Sequence, residues 1–326
     1  MKISMAEKPR HILFVLVVCL TAALAFSCSK VPAGDDPGDK VEFNDTYICD
    51  VRSAVREDGF LSGDAIGVMA YYVPSGDSWE SYKAEAKPDF MYNQKVSYDG
   101  RSWSYAPVMY WPQDPGACVN FYAYFPWDDG SGNDGVKVSS VTSAGEPSFV
   151  FTLNEKADKD LMVAANEGLT VSDGPVALQF QHVLGKVQFK FGVSDIGGFS
   201  YVVNKIRVLN VPKQVTYHWS DGSVDVLRTD YVVASSGEDG KGHLVNSIDP
   251  QLVEDFTMLL IPCDLKMLEV TINNEETAVI DLTGNNVKIE KGKELTISLM
   301  ISLENIQFKT SITDWREGGS AEGQIK

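Results

Sequence analysis

The chain has 326 residues, 44% of them apolar, with 28 Lys and Arg against 45 Asp and Glu and a formal charge of −17. A surface that acidic repels nucleic acid and anionic lipid, and no basic cluster offsets it, so nucleic-acid binding is excluded. The residues beyond a short leader, roughly 300, can bury a sizeable core and suggest two domains.

In chain order, Lys2, Lys8 and Arg10 give a positive start, and the run from Ile12 to Ala25 is apolar apart from Thr21. It is shorter than the roughly 20 residues that span a bilayer, so residues 1–27 read as a signal peptide. Their loss removes three positive charges and Glu7, a net +2, and leaves −19. Leu24-Ala25-Phe26-Ser27-Cys28-Ser29 resembles a lipobox, where Cys28 is acylated and becomes the mature N-terminus. Phe26 is bulkier than the usual occupant, and an ordinary cleavage site beside a free thiol is the plain alternative. Each buried methylene contributes about 0.8 kcal/mol, so a multiply acylated Cys28 would tether the chain to an outer membrane. Residues 28–46 carry Pro32, Gly34, Pro37, Gly38 and several Asp, the composition of a flexible tether.

From Tyr47 onward the pattern has period two. Ala65 to Val73 is β-rich. Lys95-Val96-Ser97-Tyr98 and Ser102-Trp103-Ser104-Tyr105 flank Asp99-Gly100-Arg101, a hairpin signal. Val119, Phe121, Ala123 and Phe125 share one face, as do Val187, Phe189, Phe191 and Val193. A second hairpin is expected around Asp221-Gly222, and further strands over Leu268 to Ile272 and Leu295 to Leu303. Strands at this spacing predict an all-β protein with two tandem antiparallel β-sandwich domains, 47–175 and 176–326, meeting near Asp173-Gly174-Pro175. The stretches 128–135 and 235–242 are expected to be exposed loops.

Chemistry is sparse. Cys49, Cys118 and Cys263 have no metal-ligand spacing, and three thiols leave one over from any disulfide. His182, His218 and His243 have no second histidine at chelating spacing, and His182 reads as a packed strand residue. No nucleophile elbow, phosphate loop, dinucleotide fingerprint or His-Glu-x-x-His occurs. The loop from Asp129 lacks the Gly at position six and the Glu at position twelve of a calcium loop. The aromatic residues between Trp103 and Trp127 are expected in the core rather than stacked on sugars. These readings call for no catalytic residue, no metal and no cofactor.

An ordered set of short motifs runs along nearly the whole chain: Gly63-Asp64-Ala65-Ile66-Gly67-Val68, Tyr92-Asn93-Gln94-Lys95-Val96, Trp103-Ser104-Tyr105-Ala106-Pro107, Tyr110-Trp111-Pro112 and Phe121-Tyr122-Ala123-Tyr124-Phe125-Pro126. It continues with Asp160-Leu161-Met162-Val163-Ala164, Phe180-x-His182-x-Leu184-x-Lys186-Val187, Lys291-Gly292-Lys293-Glu294-Leu295 and Ile312-Thr313-Asp314-Trp315-Arg316-Glu317-Gly318. With the lipobox, this series resembles the fimbrillin-like lipoproteins that build pili in Bacteroidales-type bacteria. The resemblance implies transthyretin-like sandwiches, a cell-surface location and a non-enzymatic role as stalk, tip or anchor. It also implies clipping by an arginine-specific protease, which removes the first strand so that a neighbouring fimbrillin-type subunit can fill the groove by β-strand addition. The candidate cleavage sites are Arg52 and Arg56, with Arg52 nearer the family's position although Ser53 departs from it. Host or microbial glycan or protein are further candidate partners. The alternative is a lipid-tethered carbohydrate-binding surface protein of a glycan-uptake system, which would show exposed aromatic residues on one face.

Overall fold

A computed structural model describes residues 38–44, 46–48, 59–131, 136–141, 144–154, 157, 160–194, 200–236, 241–274, 276–302 and 306–314. The first half contributes β1 (Tyr47–Ile48), β2 (Ala65–Val73), the short helix α1 (Trp79–Tyr82), β3 (Met91–Tyr98), β4 (Trp103–Ser104) and β5 (Cys118–Phe125). It continues with β6 (Val136–Val141), β7 (Ser148–Leu153), β8 (Met162–Leu169) and β9 (Gln179–His182). Next come β10 (Gly185–Val193), β11 (Tyr201–His218), β12 (Val224–Ser235), β13 (His243–Val245), β14 (Gln251–Leu252) and β15 (Met258–Leu260). The last are β16 (Cys263–Asp264), β17 (Met267–Ile272), β18 (Glu276–Asp281), β19 (Lys288–Ile289), β20 (Lys293–Ile301) and β21 (Ile306–Asp314). The expected all-β class is what the chain adopts, with both expected hairpins in place at β3–β4 and β11–β12.

The first sheet has the order β1-β9-β8-β5-β2-β3-β4. Both faces of its centre are apolar, so strict alternation sorts residues between two cores rather than between core and water. Ile66, Val68 and Ala70 of β2 join Val119, Phe121, Ala123 and Phe125 of β5 in one core. Met69, Tyr71, Tyr122 and Tyr124 enter the other with Phe149, Phe151, Val215 and Tyr217. Gly67 lies opposite Tyr124, and a Cβ there would come within 2.3 Å of the tyrosine ring. Glycine at this point lets the ring lie flat across β2.

A third core lies between two other sheets, β18-β17-β11-β7-β6 and β14-β10-β20-β21. Val187, Phe189 and Phe191 of β10 meet Val203, Ile206 and Val208 of β11 there, together with Leu268, Val270, Ile297 and Leu299. β11 is 18 residues long, about three times the usual strand. Its first half serves this third core, while Val215 and Tyr217 reach the core shared with β2 and β5. Register shifts between Val208 and Val215, with Asn210 at φ +57°, bend the strand between the two.

Hydrogen bonding crosses position 175 in both directions: β9 completes the first sheet, while β7 pairs with β11. The turn cluster itself is a 3-10 turn, Val171–Asp173, capped by Thr170. Among the described strands two pairings are parallel, β1 with β9 and β10 with β20, and the Phe43–Val176 bridge ahead of β1 is parallel too; the other strand pairings are antiparallel. Of the two expected exposed loops, Asp129, Ser131, Ser235 and Lys241 are exposed, and residues 132–135 and 237–240 lie outside the described residues. One residue in each needs correcting: Asp128 and Ser236 are buried, because Tyr124 and Asn93 hold the Asp128 carbonyl and Asp255 holds the Ser236 hydroxyl.

Lys186 and Glu294 face each other across β10 and β20, with Nζ 3.1 Å from Oε2 and the lysine buried. With the Gln188 amide turned to satisfy both neighbours, its oxygen lies 2.8 Å from Lys186 Nζ and its nitrogen 2.9 Å from Glu294 Oε1. His182 Nδ1 similarly sits 2.5 Å from Asp160 Oδ2, both residues buried. Four polar residues from three separate motifs of the sequence are thus joined pairwise across strands.

Removing one member of a buried pair strands its partner. Lys186→Met is expected to lower the unfolding free energy by about 3–5 kcal/mol in urea titrations, and Lys186→Met with Glu294→Leu to recover most of that loss. Alkali should unfold the protein through its tyrosines. Burial raises Tyr71, Tyr122 and Tyr124 above the ordinary phenol range, helped at Tyr122 by Glu167, and pushes Tyr217 to about 12. The stability they carry is full below about pH 10, where unfolded phenols begin to ionise, and is lost as pH rises towards 12 and beyond. Lys291, lowered by burial, opposes them as a single group. Phenolate absorbance should therefore show these four ionising as one step that coincides with loss of circular dichroism, not as a smooth titration of the native state.

Candidate functional site

The segment ahead of the two arginines is where sequence and packing meet. Cys28, Arg52 and Arg56 lie outside the described residues, as does Cys49, but residues 38–44 and 46–48 do not. A flexible tether was the expectation for 28–46, and its last part is instead built into the fold. Lys40, Glu42 and Asn44 are exposed while Val41 and Phe43 are 1% and 2% exposed. That is strand alternation, which the neighbouring Pro, Gly and Asp residues mask in composition. Tyr47 then points out and Ile48 in.

The segment lies between two others. On one side it is antiparallel to the chain after β4: Val41 N–H donates to the Met109 carbonyl (3.0 Å) and Trp111 N–H to the Asp39 carbonyl (2.9 Å). On the other it runs parallel to the chain leading into β9. Val176 N–H donates to the Glu42 carbonyl (2.7 Å), Asn44 N–H to the Val176 carbonyl (3.1 Å), and Tyr47 N–H to the Leu178 carbonyl (3.0 Å). Residues 39–44 therefore lie between the chain after β4 and the chain leading into β9, and 46–48 continue along β9.

Tyr105 ties the segment down. Its hydroxyl donates to the Val41 carbonyl at 2.7 Å and accepts from Met109 N–H at 3.3 Å. Burial raises its pKa above the ordinary phenol value, the Met109 amide opposing and Glu42 and Tyr110 adding to the rise. Its ring meets Phe43 edge-on, centroids 5.6 Å apart, and Phe121 meets Phe43 the same way at 6.0 Å. Phe121 is itself backed by Phe90 and Trp111. Ile48 packs into the same core near Phe180.

The aromatic crowd between Trp103 and Trp127 is largely interior: Trp111, Phe121, Tyr122, Tyr124 and Phe125 are buried, and Trp103 and Tyr105 pack against the same core as Phe43. Among the described residues, no group of three His, Cys, Asp or Glu side chains could hold a metal, and no helix is long and apolar enough to cross a membrane. Cys118 and Cys263 are both free thiols, with burial pushing Cys263 up to about 12.

A family model described as fimbrillin-like matches residues 52–315. A fimbrium subunit, Fim1C of Phocaeicola vulgatus, is 28% identical over 133 residues, which are 37% of this chain and only 35% of that protein's length. Among solved structures, a fimbrial protein from Bacteroides vulgatus superposes with a TM-score of 0.60 at 18% identity, over 85% of this chain and 99% of the other. A candidate cell adhesion protein from Bacteroides uniformis superposes with a TM-score of 0.52 at 18% identity, over 86% and 100%. At such identity these two speak for the fold alone. The match over residues 52–315 covers most of the chain, and with it this protein belongs to the fimbrillin-like family, a family of fimbrial structural proteins rather than enzymes.

Proposed function

We propose that this chain is a surface pilus subunit, structural or adhesive, that is tethered through lipid on Cys28 and assembles by exchanging the strand ahead of Arg52 or Arg56. Its sandwiches, 47–175 and 176–326 by the spacing of turns, then lend strands to one another across their boundary. The observation that carries the reading is the packing of residues 39–48. The candidate sites follow Ile48 by only four and eight residues, so one cut would free a segment that contributes Val41, Phe43 and Ile48 to a core. Burying three such side chains is worth about 5–9 kcal/mol at roughly 1.5–3 kcal/mol each. A cut alone therefore leaves the fragment seated. Its loss would uncover a core and two unpaired strand edges, and a neighbour's strand of matching pattern restores both. The fimbrillin-like family match and the fimbrium subunit that resembles part of this chain support the pilus assignment, and lipid on Cys28 would place the subunit at the outer membrane until it is cut.

Treatment of the lipid-free form from Ser29 onward with an arginine-specific protease should give a single clip after Arg52 or Arg56, followed by a ladder that survives unboiled denaturing gels. The Arg52→Ala, Arg56→Ala double variant should stay uncut and monomeric. An uncut wild type, or a cut one without a ladder, would sink assembly by exchange. In the full-length chain, Cys28→Ser should move the protein from the membrane fraction to the soluble fraction and abolish incorporation of labelled palmitate.

A further inference from the structure

The seat occupied by residues 39–48 restricts what can replace them. Its edges fix direction first. Residue 176 bonds to positions 42 and 44 of the seated strand, the slanted pattern of a parallel ladder, while Met109 and Trp111 bond to positions 41 and 39 in antiparallel fashion. A strand running the other way meets the wrong pattern on both sides at once. Register follows from Tyr105. One side chain holds the carbonyl of position 41 through its hydroxyl and forms a wall of the Phe43 socket with its ring. Its hydroxyl also accepts from Met109 N–H, so the ring cannot turn away without losing both bonds. A slip of one residue would push a polar side chain such as Glu42 into the socket.

The socket selects for an aromatic side chain. Its walls are the rings of Tyr105 and Phe121, and Phe121 is held edge-on by Phe90 and Trp111. Such a ring cluster fits another ring edge-on and does not collapse around a smaller group.

We propose that the seat admits an extended strand, parallel to β9, carrying an aliphatic residue at position 41, an aromatic residue at position 43 and polar residues at 40, 42 and 44, with Tyr105 reading both register and ring. The proposal rests on the strand-exchange reading above and names the partner chemistry of that site.

The test uses the chain from Ser29 onward, clipped in vitro by the arginine-specific protease with its own fragment in place. Fluorescent peptides in excess compete for the seat: residues 38–48, the same peptide with Phe43→Ala, the same with Phe43→Leu, and the reversed sequence. The expected result is exchange by the native peptide, with affinity lower by at least about a hundredfold for Phe43→Ala, an intermediate loss for Phe43→Leu, and no exchange by the reversed peptide. Tyr105→Phe in the protein should weaken the native and Phe43→Ala peptides by the same factor. Equal exchange by the native and Phe43→Ala peptides would overturn the aromatic socket while leaving strand exchange standing. Failure of every peptide, the native one included, or resistance of the chain to clipping, would overturn both.

Discussion

The centre of the first sheet, formed by β2, β5 and the first residues of β8, is apolar on both faces, and that double burial sets the terms for everything around it. A half-exposed sheet can leave an edge to water, which satisfies its N–H and C=O groups. A sheet sandwiched between two cores has less of that freedom, because each unpaired group next to the core costs free energy. The chain meets the constraint by bringing residues 39–48 between the segment after β4 and the segment before β9. One short stretch thus supplies side chains to a core and partners to two backbone edges. The same stretch lies immediately ahead of two arginines, so the element that completes the sheet is also the one that a single cut would detach.

Much of this architecture was legible in the sequence wherever the determining contacts are local. The strand over Ala65–Val73, the hairpins around Gly100 and Gly222, and the alternation in β5, β10, β17 and β20 all follow from period-two patterning and turn residues. What was not legible depends on partners far away in the chain. Nothing in Lys293–Ile301 says that it runs parallel to Gly185–Val193, and nothing in Ser148–Leu153 assigns it to a sheet built mostly by later residues. Asp128 looked like a loop residue because its burial depends on Tyr124 and Asn93, neither of which is in the loop.

The site was half legible. The arginines stood out by type and position, while Val41 and Phe43 were hidden in a stretch whose Pro, Gly and Asp content suggested a tether. The alternation Lys40-Val41-Glu42-Phe43-Asn44 was the available signal, five residues long and easily outvoted. Tyr105 carried no mark of its role, since its hydroxyl partner, the Val41 carbonyl, has no signature in the sequence. The motif polar residues present the converse case: Asp160, His182, Lys186 and Glu294 stand in the quoted motifs, and only the fold reveals them as two ion pairs between segments far apart in the chain.

β11 carries a consequence for force. Its 18 residues are continuous covalent backbone through two cores, flanked by β7 and β17 on one side and by β12 and β13 on the other. Tension that pulls the two cores apart along this strand loads those flanking ladders in shear, many bonds at once, rather than peeling them one by one. The bend between Val208 and Val215 is then the compliant point, able to straighten before any ladder slips. A filament built of such units would stretch slightly at each bend and resist rupture collectively, a mechanical property written into one strand rather than into the joints between subunits.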